Sequence, residues 1–374
     1  MKFGLFYQIQ VPKPWTEESE ARRIWEALDQ IAYAEEVGYD SVWFSEHHFR
    51  PEWSHNSAPD LTLAAVSQRT SRIRMGVGVV LAPIHHPLHT ASRMATLDIL
   101  SHGRVDVGIG RTGYPYQLTP YGAGLKDTRG MWEEYAQVLP KIWTEEVVSY
   151  EGQYFQIPPR EVLPKPLQKP HPPLWSACSS EETTRLTGEM GLGALVGSEG
   201  GPEKVAEVLE LYNKTSKASR HDGIHVNHQN ALMTAGYCHE SSKVVEERGT
   251  ELVAWYLNQQ RERARLVWRG VAPATVPPDY QGYYERDQRL AAGPHPGDPT
   301  PADVVRQGTK FCIGTPDDCI KFYEAYEAMG VEQVFLLCAI GPAANEEVMN
   351  TIRLFGKYVI PHFKEKEKAH AAVV

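Results

Sequence analysis

Short apolar runs alternate with amphipathic segments along most of the chain. The run from Met75 to Leu81 is rich in β-branched residues and interrupted by glycine, and it is too short for a helix. Between Leu88 and Ile99, apolar residues recur every three or four positions, which predicts a helix with one buried face. The residues from Val105 to Ile109 then alternate between apolar and small or polar types. The pattern predicts a strand, a helix and a second strand in succession.

The same alternation extends over the rest of the chain. It predicts eight strands: Lys2–Gln8, Asp40–Ser45, Met75–Leu81, Val105–Ile109, Leu174–Cys178, Gly193–Gly197, Ala231–Tyr237 and Gln333–Cys338. The predicted helices include 18–37, with Trp25, Leu28 and Ile31 inward, together with 61–70, 128–145 and a helix that begins at Thr315. Eight strand–helix units without a run of hairpins predict an α/β fold, a (β/α)8 TIM barrel, whose functional groups lie on the loops after the strands.

One long segment interrupts this alternation. We predict that residues 1–374 form a single barrel domain with an insertion of about 239–312 between strands seven and eight. The insertion contains a long helix, Lys243–Trp268, followed by a segment rich in proline and tyrosine at 271–287. Loops of this length usually serve as lids or binding surfaces. A lid and an oligomerisation element are both consistent with the sequence.

Composition narrows the function classes. Of the 374 residues, 42% are hydrophobic and 23% are charged, which is typical of a globular protein, and the net charge of −9 argues against nucleic acid or an anionic membrane as a partner. Apolar runs fall short of the roughly 20 residues that span a bilayer. The first residues lead directly into a strand, so that no signal peptide is expected. Five scattered cysteines without a C-x-x-C pair favour reduced thiols, and we expect a cytoplasmic protein.

Two histidines follow the second predicted strand. His47 and His48 are adjacent, and because neighbouring residues of an extended chain point opposite ways, only one of them readily faces the barrel mouth. A histidine there could hold or move a proton near neutral pH. Further histidine pairs, His85 with His86 and His225 with His228, raise the alternative of a metal site. Barrel metallohydrolases present histidines on strand one, which has none here, so no metal is predicted.

Two other strand ends suggest an anion site. Ser179 precedes Glu182 with the spacing of a capping box, which predicts a helix that runs to about Met190 and has free N–H groups at its start. Ser179 could equally serve only as a helix cap. Arg111 ends the neighbouring strand, in which Gly108 and Gly110 leave room for a flat ring. A phosphate shared by Arg111 and the Ser179 helix is therefore a second hypothesis for this region.

The order and spacing of three segments resemble those of bacterial luciferase-like flavin monooxygenases. The segments are EHHF at 46–49, VLAPIHHP at 80–87 and LDILSHGRVDVGIGR at 97–111. The resemblance runs from the first strand to the last. It implies a (β/α)8 barrel that binds FMN at the carboxyl ends of the strands.

The resemblance also implies roles for particular residues. His47 falls on the family's catalytic histidine, with His48 beside it, and Arg111 falls on the arginine of the flavin phosphate. The ring and phosphate contacts fall on Gly110, Cys178, Ser179 and Ser180, and a cis peptide bond falls on Gly78–Val79. Gly110 replaces a cysteine of the luciferases and Cys178 replaces a carboxylate. A non-luminous oxygenase is therefore expected.

The implied reaction is that of a two-component monooxygenase. A separate NAD(P)H:flavin reductase would supply reduced FMN, which would react with O2 to give a flavin hydroperoxide and oxygenate a small organic substrate. A homodimer or higher homo-oligomer is expected. No G-x-G-x-x-G fingerprint follows a strand, so that a tightly bound dinucleotide has no obvious site. A deazaflavin-dependent oxidoreductase of the same superfamily and a non-catalytic flavin-binding protein are the alternatives.

Overall fold

Eleven strands are present in the part of the chain that the structure covers. The structure is a computed structural model that describes residues 1–112, 114–218 and 226–371. The strands are β1 Lys2–Tyr7, β2 Ser41–Phe44, β3 Arg74–Leu81, β4 Val105–Gly110, β5 Val147–Glu151, β6 Gln156–Glu161, β7 Leu174–Ala177, β8 Gly193–Gly197, β9 Asn230–Cys238, β10 Cys312–Gly314 and β11 Gln333–Leu337.

Eight of these strands close into a parallel barrel. The strand order is β9, β11, β1, β2, β3, β4, β7, β8, and pairing of β8 with β9 completes the ring. The register places Gly4 of β1 between Ser41 of β2 on one side and Phe335 of β11 on the other. The short β10 adds to β9 outside the ring. The predicted (β/α)8 barrel and all eight of its strands are confirmed.

Helices surround the barrel and follow its strands. They are α1 Ser19–Glu36, α2 Pro59–Arg69, α3 Pro87–Leu100, α4 Pro115–Leu118, α5 Thr128–Thr144, α6 Glu181–Glu189, α7 Pro202–Ala218, α8 Ser242–Val267, α9 Gln281–Ala292, α10 Pro301–Gln307, α11 Pro316–Ala328, α12 Asn345–Leu354 and α13 Ile360–Ala371, with a π-helical turn at Phe355–Val359. Leu28 and Ile31 of α1 are buried as predicted, but Trp25 is 62% exposed. Trp25 lies outside the buried stripe, so its predicted inward position is wrong.

One departure from the predicted alternation is an antiparallel hairpin. Strands β5 and β6 pair with each other between α5 and β7, and they form a two-stranded sheet separate from the barrel. The eight predicted strands do not include this hairpin. Val147 and the proline residues of β6 lie largely exposed, so the hairpin lacks the alternating buried face by which a strand is recognised.

Large aromatic side chains fill the barrel interior. The indole of Trp43 packs edge-on against Trp175 at 5.5 Å between ring centroids and stacks on Phe335 at 4.8 Å. Glycines face these rings, because a Cβ at Gly76 would lie 2.4 Å from Trp43 and one at Gly193 would lie 2.5 Å from Trp175. Alternation of large and small residues thus closes the centre of the barrel.

The insertion packs as a second small core. Helices α8, α9 and α10 lie between β9 and β10, in the segment predicted to be an insertion. The buried residues of this core are Val267, Trp268, Val276 and Tyr280, and Tyr114 of the barrel packs against them. The insertion therefore meets the barrel at the loop that follows β4.

No helix within the described residues is long and apolar enough to cross a membrane. The five cysteines are all buried, and each is a free thiol.

The interior packing generates a stability prediction. We expect Gly76→Ala to lower the free energy of unfolding by about 1–3 kcal/mol, because its Cβ would overlap the rigid ring of Trp43. Urea denaturation would measure the loss. Gly124→Ala is the matched control, since a Cβ at Gly124 meets nothing within 4 Å. If Gly76→Ala is as stable as the control, or if Trp43→Phe fails to reduce its effect in the double variant, this packing account is wrong.

Candidate active site

The sequence-predicted residues gather at the carboxyl ends of β2, β3, β4 and β7. In a parallel barrel these ends share one face, which is where catalytic groups lie in this fold. A pocket of about 420 Å³ opens at the opposite face and is lined by residues that include Asp40 and Asp106. Asp106 is paired there with Arg74 at 2.7 Å. That face supports stability in barrels of this type, so the carboxyl face remains the candidate site.

Glu46 organises the loop after β2. Its Oε1 accepts hydrogen bonds from His48 Nε2 at 2.7 Å and His85 Nε2 at 2.6 Å, and its Oε2 accepts from the Leu81 N–H at 3.1 Å. Burial alone would raise the pKa of Glu46, but the two imidazoles lower it below its usual range. The ionised carboxylate thereby holds together the ends of β2 and β3.

Glu46, His48 and His85 form a cluster that could be considered as a metal site. The ligand atoms of Glu46, His48 and His85 lie within 4.8 Å of one another, a spacing that could hold a metal ion. The hydrogen bonds already satisfy the buried carboxylate without an ion. His86 instead caps α3 by accepting from the Leu88 N–H, and His228 pairs with Ser216. His225 lies outside the described residues, and the absence of a metal stays a prediction.

The two adjacent histidines have different surroundings. His48 is buried between Glu46 and the Tyr121 hydroxyl, which lies 2.9 Å from its Nδ1. His47 is partly buried, its ring centroid is 6.4 Å from that of Tyr114, and its Nδ1 has no hydrogen-bond partner. Burial and the nearby Arg50 charge lower the pKa of His47 to about 3. His47 is therefore a neutral imidazole at pH 7 with one ring nitrogen available to a ligand.

Arg111 is occupied by the insertion. Its Nη1 donates to Asp279 Oδ2 at 2.5 Å, and Arg129 reaches the same oxygen at 3.4 Å. The Arg111 guanidinium also lies 4.9 Å from the centre of the Tyr280 ring. Burial alone would lower the pKa of Arg111, but Tyr280 and Asp279 raise it. Two cations thus surround one carboxylate at the end of β4.

The segment after β7 is also in contact with the insertion. Ser179 Oγ lies 2.6 Å from the hydroxyl of Tyr283, four residues after Asp279. Ser180, and not Ser179, caps α6 by accepting from the Thr183 N–H at 3.3 Å, which corrects the predicted capping box with Glu182. Ser180 takes the cap because its own backbone is extended while Glu181 is already helical. Ser179 is consequently exposed and available for other contacts.

Cys178 differs from its serine neighbours. It is 6% exposed, its Sγ contacts the Ser176 carbonyl at 3.8 Å, and burial raises its pKa to about 11. A neutral and buried thiol is unreactive as a nucleophile. Its predicted contact with a cofactor stays a prediction.

Strands β3 and β4 each have an unusual backbone feature where they face each other. The Gly78–Val79 peptide bond is cis, as the family resemblance implies. A Cβ at Gly108 would lie 2.4 Å from the Val77 carbonyl, and a Cβ at Gly110 would lie 2.4 Å from Val79 Cγ2. These glycines therefore allow close approach of β3 and β4. The expectation that they leave open space for a flat ring is wrong, because β3 fills that space.

Several residues of the site escaped the sequence analysis. Glu46 and Arg50 flank the two histidines in the segment 46–50, so proximity alone could have marked them. Asp279 and Arg263 lie in the insertion, more than a hundred residues from the strand ends that they meet. No local pattern connects them to the barrel, and only the packing of the insertion brings them there.

Comparison with known proteins places the chain in a family. The family model of luciferase-like monooxygenases matches residues 1–333, and the chain belongs to this family of oxidoreductases. A 4-hydroxyprotoasukamycin monooxygenase of Streptomyces nodosus subsp. asukaensis is 32% identical over 347 residues, covering 91% of this chain and 87% of the relative. The oxygenase component of a flavin-dependent trigonelline monooxygenase of Acinetobacter baylyi is 24% identical, covering 100% and 99%.

Solved structures share the fold. The FMN complex of the oxygenating constituent of 3,6-diketocamphane monooxygenase, from the CAM plasmid of Pseudomonas putida, superposes with a TM-score of 0.76 at 22% identity, covering 96% of this chain and 98% of that chain. An F420-dependent secondary alcohol dehydrogenase superposes with a TM-score of 0.69 at 18% identity, covering 96% and 97%. At these identities the likeness shows the fold alone.

The Glu46 cluster generates a pH-dependent prediction. We expect Glu46→Gln to lower the free energy of unfolding by about 1–3 kcal/mol at pH 7, since an amide cannot accept all three buried N–H groups. Because the folded pKa of Glu46 is lowered, the carboxylate stabilises the fold above the unfolded pKa of about 4.3 and loses this effect as the pH falls through the folded pKa. The urea midpoints of the wild type and of Glu46→Gln should therefore converge as the pH is lowered from 7.

Glu36→Gln is the control for this prediction, because Glu36 is exposed on α1. It should match the wild type at every pH. A constant difference between Glu46→Gln and the wild type across the acid range would show that the charge of Glu46 does not stabilise the fold.

Proposed function

We propose that the protein is a two-component, FMN-dependent monooxygenase that uses reduced FMN and dioxygen to oxygenate a small organic substrate. The observation that carries the proposal is the pair of cations at the end of β4. Arg111 and Arg129 surround the Asp279 carboxylate, and Ser179 lies against Tyr283 of the same segment. The insertion thus places an anion where the family resemblance expects the flavin phosphate.

The residues at this point fit a phosphate. Arg111 offers a planar guanidinium that suits two oxygens of an anion, and Arg129 adds a second charge. Ser179 has an exposed hydroxyl next to the start of α6, where free N–H groups favour negative charge. In this proposal Arg111, Arg129 and Ser179 would hold the phosphate in place of the Asp279 carboxylate, and Gly78, Val79 and Gly110 would contact the rest of the flavin.

Reduced FMN, when bound, supplies the electrons that activate dioxygen. The proposed role of His47 is to hold a hydrogen bond at its unpaired Nδ1 near the reacting atoms. A pKa of about 3 keeps the imidazole neutral, so that it acts as an acceptor or a neutral donor and not as an acid in its charged form. His48 is tied to Glu46 and Tyr121, and its role is to fix the loop that carries His47.

The insertion is proposed to be a lid. Tyr280 donates a hydrogen bond to the Thr112 carbonyl at 2.9 Å and contacts Thr128 at 2.7 Å, so that the segment after residue 277 lies across the loop following β4. A lid in this place would exclude water from the reaction. Binding of FMN would require Asp279 to leave Arg111 while the small core around Trp268 keeps the insertion attached.

Three related proposals follow from the family. A separate NAD(P)H:flavin reductase would supply the reduced flavin, as the description of relatives as oxygenase components suggests. The deazaflavin alternative has support from the F420-dependent dehydrogenase that shares the fold. A homo-oligomeric state and a cytoplasmic location stay predictions.

Anaerobic titration tests the proposal. Reduced FMN should bind the protein. After dioxygen is admitted, the complex should consume it in an amount that depends on the presence of the correct substrate. A titration with the deazaflavin cofactor is the parallel experiment. Binding of deazaflavin in preference to reduced FMN, or binding of FMN without reaction with oxygen, would replace the proposed function by one of its two alternatives.

Opposite substitutions of one ion pair test the phosphate site. We expect Arg111→Ala to weaken binding of reduced FMN by about 1.5–3 kcal/mol, the scale of a hydrogen bond to a charged group. Asp279→Asn should tighten binding by about 1 kcal/mol, because it removes the carboxylate that competes for Arg111. Fluorescence titration under anaerobic conditions would measure both. Asp298→Asn, in an exposed loop of the insertion, is the control. If both variants change the affinity for reduced FMN in the same direction, Arg111 and Asp279 are not part of the phosphate site.

Substitution of His47 tests the chemistry. We expect His47→Ala to fold, bind reduced FMN and consume oxygen, yet to release mostly hydrogen peroxide in place of oxygenated product. A preorganised hydrogen-bonding group at the reacting atoms is typically worth about 10²–10³-fold in rate, so the loss should be large. Oxygen uptake and peroxide yield measure the coupling, and His89→Ala on the exposed face of α3 is the control. Normal coupling in His47→Ala would assign this hydrogen bond to another group.

A further inference from the structure

Arg50 is a buried cation without an ionic partner. It is 9% exposed, and its Nη2 has no hydrogen-bond partner. Among residues 1–112, 114–218 and 226–371, no carboxylate pairs with its guanidinium, which lies 4.6 Å from the centre of the Trp53 ring and 5.5 Å from that of Tyr114. Burial lowers the pKa of Arg50 only to about 9, so the group is charged at pH 7. A buried charge of this kind normally has a counter-ion.

A second arginine reaches the same aromatic ring. Arg263 of α8 is 7% exposed and lies 5.1 Å from the centre of the Tyr114 ring, to whose hydroxyl it donates at 2.5 Å. Its own counter-ion is Asp287 at 2.8 Å, but that carboxylate also pairs with Arg286 at 3.1 Å. Two guanidinium groups therefore share the Asp287 carboxylate, and within the described residues the Arg50 guanidinium pairs with no carboxylate.

Glu199 is the remaining carboxylate near these arginines, and it raises the pKa of both without forming an ion pair with either within the described residues. Glu199 is exposed, and its Oε1 accepts hydrogen bonds from Tyr256 at 2.6 Å and Gln260 at 3.2 Å. Burial alone would raise the pKa of Tyr114, yet the charges of Arg263 and Arg50 lower it.

The unpaired polar atoms around Arg50 are mainly donors. Besides Arg50 Nη2, the Nε of Arg263 and the indole Nε1 of Trp53 are buried without a hydrogen-bond partner, and so is Nδ1 of the neighbouring His47. Three of these four atoms can only donate. Buried donors of this kind are normally satisfied, so their missing acceptors point to a ligand that is rich in acceptors.

We propose that Arg50 and Arg263 bind the carboxylate of an organic acid, and that this acid is the substrate oxygenated beside His47. The inference rests on the proposed function for the identity of the reaction, but the anion site is defined by its own residues. A carboxylate matches the planar fork of an arginine and accepts from several donors at once. Trp53 and Tyr114 supply flat apolar surfaces for the body of the acid.

The position of the site agrees with a substrate. The ring of His47 lies 6.4 Å from that of Tyr114, which is the ring shared by both arginines. Arg111, in contrast, contacts Tyr280 and Asp279 of the insertion. The structure therefore has two separate cationic sites, one at Arg111 and the other at Arg50 and Arg263. We assign the flavin phosphate to the Arg111 site and the organic carboxylate to the Arg50 site.

Matched acids and amides test the charge of the ligand. The probes are benzoate with benzamide, phenylacetate with phenylacetamide, and hexanoate with hexanamide, each added to the full-length protein without flavin. We expect at least one acid to raise the melting temperature while its amide does not, and calorimetry then gives the dissociation constant. Equal stabilisation by acid and amide, or stabilisation by no acid, would overturn the assignment.

Variants of Arg50 test the site itself. Arg50→Met should weaken binding of the acid roughly 10- to 100-fold, the loss of a charged hydrogen bond. Arg50→Lys should retain part of the affinity, because it keeps the charge but not the fork. Arg289→Met, an arginine that is 71% exposed on α9, should bind like the wild type. Without ligand, the melting temperature of Arg50→Met should not fall, because the variant removes an uncompensated buried charge.

The outcomes distinguish this inference from the proposed function. Retention of acid binding in Arg50→Met, or a lower melting temperature of that variant without ligand, would make Arg50 a structural residue. Loss of reduced-FMN binding in Arg50→Met would assign Arg50 to the flavin phosphate and overturn the proposal. If wild-type protein binds the acid but not reduced FMN, the proposed function fails while the carboxylate site stands.

Discussion

The fit of two tryptophans against two glycines inside the barrel is the constraint on which the other features depend. Trp43 and Trp175 meet at the centre, and the strands that face them have no side chain at Gly76 and Gly193 because none would fit. A filled centre cannot hold a ligand. We therefore place the chemistry at the carboxyl ends of the strands, where Glu46 and His47 follow β2 and Arg111 follows β4.

Charge at this end of the barrel is compensated in two different ways. The carboxylate of Glu46 is satisfied within the barrel by two imidazoles, which makes the loop after β2 rigid. The arginines depend on the insertion, since Asp279 pairs with Arg111 and Asp287 pairs with Arg263. Among the residues that the structure describes, Arg50 has neither kind of partner. If a bound anion replaces a carboxylate of the insertion at an arginine, as we propose for the flavin phosphate at Arg111, the position of the insertion would depend on whether that anion is bound.

The sequence predicted positions in the candidate site correctly where a residue follows its own strand. His47, His48, Arg111 and Ser179 all lie at the carboxyl face because the end of a buried strand fixes the position of the next residues. It failed where the environment decides the role. Gly110 was predicted to leave open space, but the Val79 side chain lies against it. Ser180 caps α6 in place of the predicted Ser179, because the backbone of Ser180 is extended where the helix begins. Trp25 was assigned to the core but is exposed, because helical periodicity does not fix the width of the buried stripe.

The sequence by itself determined the barrel, its eight strands, the long helix of the insertion and the family, because period, length and local motifs are properties of neighbouring residues. Only the tertiary structure decided which charges meet. Asp279 reaches Arg111 across 168 positions of sequence, and Arg263 reaches Tyr114 across 149. The same holds for the lack of a partner at Arg50, since an unpaired charge is defined by everything packed around it. Long-range electrostatic contacts depend on how the insertion folds back over the barrel, and no periodicity in the chain encodes that path.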